Sequence, residues 1–365
     1  MLGADLRLAN SEQPFNDSWA RVSIAPRGET LLGISFRPRN TEALGLQVRP
    51  TLTRLLQYPI EMVRLGAYWN RIEPAAGIFD TSELDWQLDT VEQAGAKIVL
   101  SVGAMKTFGF PEYFIPRHYL PRPFPDGALI TTDRYSDLLD RASEFVTRIV
   151  DRYKSRRSIV AWQLENEPVD PLPFAHYWRL STEFVRRELE ALRNRDMTRP
   201  VMINGSLPTA ASVRVGQAWL TRDQGDSLAF AKVEADIIGV DYYPRVAVTN
   251  LGEKTLYIDS TGTPWGDGDR ESLAQWANSH GKRIMVAEGQ AEPWETSTVP
   301  PSPRRHALYS CTPTDLIQTY NSWAQWTVGH PLYAYLFWGA DYWVRRAIDG
   351  DDEYFRAFAR ILEEA

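Results

Sequence analysis

Short apolar runs recur along the whole chain, and the segments between them carry apolar residues at helical spacing. The runs begin near Leu31, Met62, Lys97, Ile159, Val201, Ile237, Arg283 and Leu332, at intervals of 31 to 62 residues. Each interval is long enough for a strand and a crossover helix. Tyr135, Leu138, Leu139, Ala142, Phe145, Val146, Ile149, Val150 and Tyr153 step by three and four, as one face of a helix does. Thr132 or Asp133 is its expected N-cap. Leu84, Leu88 and Val91 repeat the pattern earlier, with Gly95 as the stop, and Leu316, Ile317, Tyr320, Trp323 and Ala324 repeat it later. Eight such β-then-α units with near-continuous apolar strands predict an α/β protein, a closed parallel (β/α)8 TIM barrel of one domain. The rival open doubly wound sheet lacks its glycine-rich phosphate turn, since no G-x-G-x-x-G follows the first run. Residues 1–29 are expected as an N-terminal extension across the barrel bottom, and residues 30–365 as the barrel itself.

Composition excludes several classes. The chain has 365 residues and a formal charge of −7, which disfavours a surface that tracks phosphates, so no nucleic-acid partner is expected. A single cysteine, Cys311, excludes an internal disulfide and a cysteine-rich zinc site. The longest apolar run, Leu332 to Trp338, is far too short to span a bilayer, and no membrane partner is expected. Met1 to Asp17 lacks a basic stretch followed by an apolar core, so no signal peptide is expected in this chain. That is compatible with a cytoplasmic protein or with one secreted after loss of a leader. Thirteen tryptophans exceed what packing alone asks for, and flat sugars are a common reason to display them.

Two strand ends carry carboxylates. The run Ala161-Trp162-Gln163-Leu164-Glu165-Asn166-Glu167-Pro168 closes the fourth strand, and Ile284-Met285-Val286-Ala287-Glu288-Gly289-Gln290 closes the seventh. If the chain stays extended, alternation puts Glu165 and Glu167 on one side and Asn166 on the other. Strands four and seven lie across a barrel from each other, so two glutamates can be aimed at one cleft. A carboxyl pair flanking a bond is what glycoside hydrolysis requires. The longer loops, Gly103–Thr131, Pro244–Asp269 and Gly289–Pro313, are expected to wall that cleft.

These motifs resemble the large clan of retaining (β/α)8 glycoside hydrolases (clan A), which includes cellulases, mannanases, β-galactosidases and β-glucosidases. Asn166-Glu167-Pro168 and Glu288 carry the likeness. It extends to Val63-Arg64-Leu65 with Trp69-Asn70-Arg71-Ile72-Glu73-Pro74, to Asp241-Tyr242-Tyr243, and to Phe337-Trp338-Gly339. The resemblance implies an O-glycosyl hydrolase of the cellulase-like or β-galactosidase-like kind, acting on β-linked oligo- or polysaccharides without cofactor or metal. It implies Glu167 as acid/base and Glu288 as nucleophile, with Asn166 on the sugar 2-hydroxyl. It further implies that Arg64 and Tyr243 orient Glu288 and that Trp338 is the floor under the reacting sugar. A nearby arginine favours a charged nucleophile, and that charge keeps the acid protonated.

Further candidates come from position alone. Trp69 and Trp294 are expected to line subsites, Arg37 to meet sugar hydroxyls or an acidic substituent, and Asn204 to face the cleft. Glu165 is an alternative acid, Glu292 an alternative nucleophile or substrate contact, and Tyr242 an alternative to Tyr243 if the strand slips by one position. Glu73 reads as a loop anchor. Lys106 and Phe108 stand after the third strand, where many clan members place a histidine. Two other functions compete. A metal-dependent barrel hydrolase would need clustered ligands, but His118, His176, His280, His306 and His330 are scattered. A non-catalytic carbohydrate-binding barrel would be expected to lack one of the two carboxylates.

Overall fold

The computed structural model describes residues 6–14, 16–172, 175–261, 264–295, 306–324 and 332–365. The apolar runs form eight barrel strands: β1 (Leu31–Ser35), β2 (Met62–Gly66), β3 (Lys97–Ser101), β4 (Ile159–Gln163), β5 (Val201–Ser206), β6 (Ile237–Tyr242), β7 (Arg283–Gln290) and β8 (Ala334–Trp338). They hydrogen-bond in chain order and close on themselves, so the fold is the (β/α)8 barrel expected from the spacing. Pairing is parallel, for example Val63 with Ile98 and Phe337 with Ile34. Strands buried on both faces explain the near-continuous apolar runs, because neither side has water to meet.

The chain divides into two compact units. One comprises Met1–Glu61, Leu207–Gly216 and Asp241–Ala365; the other comprises Met62–Ser206 and Gln217–Val240. In the second, the helix Ser136–Tyr153 buries Leu138, Leu139, Ala142, Phe145, Val146, Ile149, Val150 and Tyr153, the stripe read from the sequence. Its start lies later than expected. Tyr135 is the cap residue, and a turn closed by Tyr135 N–H on the Thr131 carbonyl takes up Thr132 and Asp133. The helix Ser82–Gln93 stops as predicted: Gly95 is left-handed at φ 77°, and the Ala96 N–H reaches back to the Val91 carbonyl.

In the first unit, aromatic rings pack behind β8: Phe337 meets Trp343 and Phe358, and Tyr58 stacks on Phe355 at 5.2 Å. The described part of the N-terminal stretch first pairs with loops that follow barrel strands. Leu6–Ala9 pairs antiparallel with Lys254–Asp259, which follows β6, and Glu12–Pro14 pairs with His306–Leu308, which follows β7. Open strand edges in those loops offer unpaired main-chain groups, and the extension satisfies them. Only past this point does it turn back: the Trp19 indole donates to Glu353 and the Trp19 carbonyl accepts from Arg360. Among the described residues no helix is long and apolar enough to cross a membrane.

Candidate active site

The Glu167 cluster belongs to the unit containing β2 to β5. β4 ends at Gln163, and the residues after it do not continue the strand. Glu165 and Glu167 both take left-handed backbone, φ 54° and 42°. For residues with a Cβ this costs roughly 1–2 kcal/mol each, so the surroundings must hold them there. The expected alternation of an extended strand therefore does not apply. Glu165 is fully buried, and its carboxylate accepts the main-chain N–H groups of Met105, at 3.0 Å, and Lys106. Burial pushes its pKa up to about 7, against the N–H donors that favour the charged form. Glu188, on the inner face of the helix Thr182–Arg193, is raised well above the carboxylate range by burial and by the charge of Glu165. This pair lies in the interior, tied through Glu165 to main-chain N–H groups.

Glu167 is 9% exposed, and its carbonyl accepts from Lys106 Nζ at 2.6 Å. Asn166, between the two glutamates, is the hub of a buried polar net. Its Oδ1 accepts from Arg64 at 2.7 Å and from Asn204 at 2.8 Å, and its Nδ2 donates to Glu112 at 3.1 Å. Arg64 also donates to Gln163 Oε1 at 2.7 Å and lies over the Phe108 ring at 4.0 Å. Asn204 is inside β5 and fully buried, where it accepts from Gln163 Nε2 at 2.8 Å; it orients Asn166 and does not face a cleft. Trp69 is likewise corrected. It is fully buried, packed on Tyr119 and Phe145, and its indole N–H donates to Glu73. Glu73 also accepts from Tyr119, so it is the loop anchor expected.

The Glu288 cluster belongs to the other unit. β7 carries an extra residue between Val286 and Gly289 relative to β8, a bulge that turns the strand at Glu288. The Tyr243 hydroxyl donates to Glu288 Oε2 at 2.5 Å, while Tyr242 points elsewhere and accepts from Arg270. The strand therefore has the register that favours Tyr243. Trp294, half-buried, leans on the Tyr243 ring at 4.7 Å. Arg37 and Glu292 belong to one buried ion-pair cluster. The Arg37 guanidinium is buried and bound to Glu292, one contact being 2.7 Å, and to Asp341. Burial opposes its charge, but Asp341 and Glu292 more than offset this and raise its pKa. Burial raises the Glu292 carboxyl in turn, although Arg37 opposes the shift. Arg37 lies over the Trp338 ring at 4.4 Å. Its charge is balanced by two carboxylates, and it lies against the Trp338 indole.

Lys106, Glu112, Gln163 and Asp341 complete these clusters. Gln163 and Lys106 carried a signal, a polar group inside an apolar run, whereas Glu112 and Asp341 carried none. Among the described residues no group of three or more His, Cys, Asp or Glu side chains could hold a metal. His280 lies against Trp276, and His330 falls outside the described residues.

The family model of glycoside hydrolase family 42, described as β-galactosidase, matches residues 47–191. Within that region lie Arg64, Asn166 and Glu167. The β-galactosidase of Geobacillus kaustophilus is 26% identical over 117 residues, which cover 30% of this chain and 17% of that enzyme. Among solved structures, a β-galactosidase from Bacillus circulans sp. alkalophilus superposes with a TM-score of 0.55 at 12% identity, over 92% of this chain and 55% of its own. The native xylanase 10B from Thermotoga maritima gives 0.53 at 12% identity, over 94% and 98%. At such identities the structural likeness speaks for the fold. Fold and matched segment together point to the clan A (β/α)8 glycoside hydrolases.

Proposed function

We propose that this chain is a retaining β-glycoside hydrolase in which Glu288 is the nucleophile and Glu167 the acid/base. The observation that carries the reading is the Tyr243 hydroxyl donating to Glu288 at the end of β7. A phenol O–H aimed at one carboxylate oxygen stabilises the charged form and fixes the direction in which the carboxylate can attack. In the first step a carboxylate oxygen of Glu288 bonds to the anomeric carbon, the bond to the leaving oxygen breaks, and Glu167 delivers its proton there. In the second, Glu167 takes a proton from water, which displaces Glu288 and restores the β configuration. This chemistry calls for carboxyl groups about 5–5.5 Å apart.

The remaining side chains fit supporting roles. The Asn166 amide has two N–H groups, and with Glu112 on one the other suits a sugar 2-hydroxyl. Trp338, propped by Arg37, would be the platform under the reacting ring, and Trp294 a wall beside Tyr243. The β-galactosidase match over 47–191 makes aryl β-galactosides the first substrates to try, with β-linked polysaccharides next. The test is a panel of aryl β-glycosides with the anomers of the fresh product followed by NMR. Initial β product supports the reading; initial α product, or no turnover of any member, overturns it.

A further inference from the structure

The segment after β3 and the turn after β4 are tied together at four points, all of them buried. Glu165 accepts from the main-chain N–H groups of Met105 and Lys106. The Asn166 N–H donates to the Lys106 carbonyl at 2.7 Å, and Lys106 Nζ donates to the Glu167 carbonyl at 2.6 Å. The two segments are also in steric contact, since a Cβ on Gly103 would fall 2.2 Å from the Glu165 nitrogen. Lys106 is thus the only residue of the four ties that enters three of them, through its N–H, its carbonyl and its ammonium. It is fully buried, and its charge acts on the carboxyls of Glu165 and Asp170.

We propose that Lys106 is a positioning residue for the acid/base of the reaction above: its ammonium holds the Glu167 carbonyl and so fixes the left-handed turn that aims the Glu167 carboxyl. This rests on the glycosidase reading. A left-handed glutamate relaxes toward ordinary backbone once nothing holds its carbonyl, and such relaxation rotates the side chain away from its target. Proton delivery depends on distances of a few tenths of an ångström, so catalysis by Glu167 should fail before binding does.

The loss should show in proportion to how much the leaving group needs a proton. For Lys106→Met, kcat/KM on a disaccharide or an alkyl β-glycoside should fall about 100-fold, in the range of a lost general acid. On a dinitrophenyl β-glycoside, whose leaving group needs none, it should fall less than about threefold, because that ratio reports the first step alone. The same preference, weaker, is expected for Glu165→Gln, which keeps the shape but loses an acceptor for the Lys106 N–H. This second variant decides the matter if Lys106→Met does not fold. Equal losses on both substrates, or none on either, would overturn the role of Lys106 while leaving the glycosidase reading intact. Failure of the unsubstituted protein to cleave either substrate would overturn that reading and this one with it.

Discussion

The clusters around Glu288 and Glu167 fix a carboxyl by opposite means. Glu288 sits on a regular strand turned by one bulge and is aimed by a side-chain hydroxyl, that of Tyr243. Glu167 lies past the end of its strand on unfavourable backbone, and the groups that hold it grip the main chain: Lys106 on its own carbonyl, and the Lys106 carbonyl on the next N–H back. The difference suits the proposed roles. A nucleophile performs one attack along one line, and a single oriented oxygen suffices. An acid that must first give and then take a proton needs a fixed aim in both steps, and here the turn beyond the strand supplies it.

Removing either carboxyl strains this contrast most. Glu288→Ala should lower kcat by about 10⁵-fold or more, as loss of a covalent nucleophile does. Azide should partly restore turnover and give the α-glycosyl azide, read by NMR. Glu167→Ala should cost about 10²–10⁴-fold on poor leaving groups, spare activated aryl glycosides in the first step, and give the β-azide on rescue. Azides of the opposite configuration would exchange the two roles. Tyr243→Phe tests how far one hydroxyl orients Glu288. A hydrogen bond to a charged group contributes about 1.5–3 kcal/mol, so kcat/KM should drop roughly 10- to 100-fold on activated and poor leaving groups alike, unlike Lys106→Met.

The smallest effect concerns stability. The Glu165 carboxyl, held up at about 7 by burial, binds a proton more tightly in the folded chain than in the unfolded one, whose ordinary value is 4.5. Its contribution is complete below about pH 4.5 and is lost as pH rises through about 7. Thermal melts between pH 4.5 and 7.5 should therefore slope downward with pH, and Glu165→Gln should flatten that slope. A slope unchanged by the substitution would mean that Glu165 is not the group responsible.

Much of the architecture was legible in the sequence because burial on both strand faces writes itself as apolar runs, and helix faces as three- and four-residue steps. The stripe on Ser136–Tyr153 reads directly, and so does Gly95. Aromatic and charged side chains were misread where exposure was assumed from position. Trp69 stands at a strand end yet fills the interior beside Phe145, and Arg37 follows β1 yet is spent on Glu292 and Asp341. Neither fate has a local signature, because the rings around Trp69 and the carboxylates on Arg37 lie far along the chain.

From the chain alone came the order of the strands and the carboxylates just past β4 and near the end of β7, since these depend on spacing and residue type; the tyrosine beside one of them was implied by the family resemblance. Tertiary structure decided which glutamate of the Glu165-Asn166-Glu167 turn goes inside. That choice follows from two left-handed residues and a lysine anchored on a neighbouring segment, and dihedral angles held by distant contacts leave no pattern in a sequence.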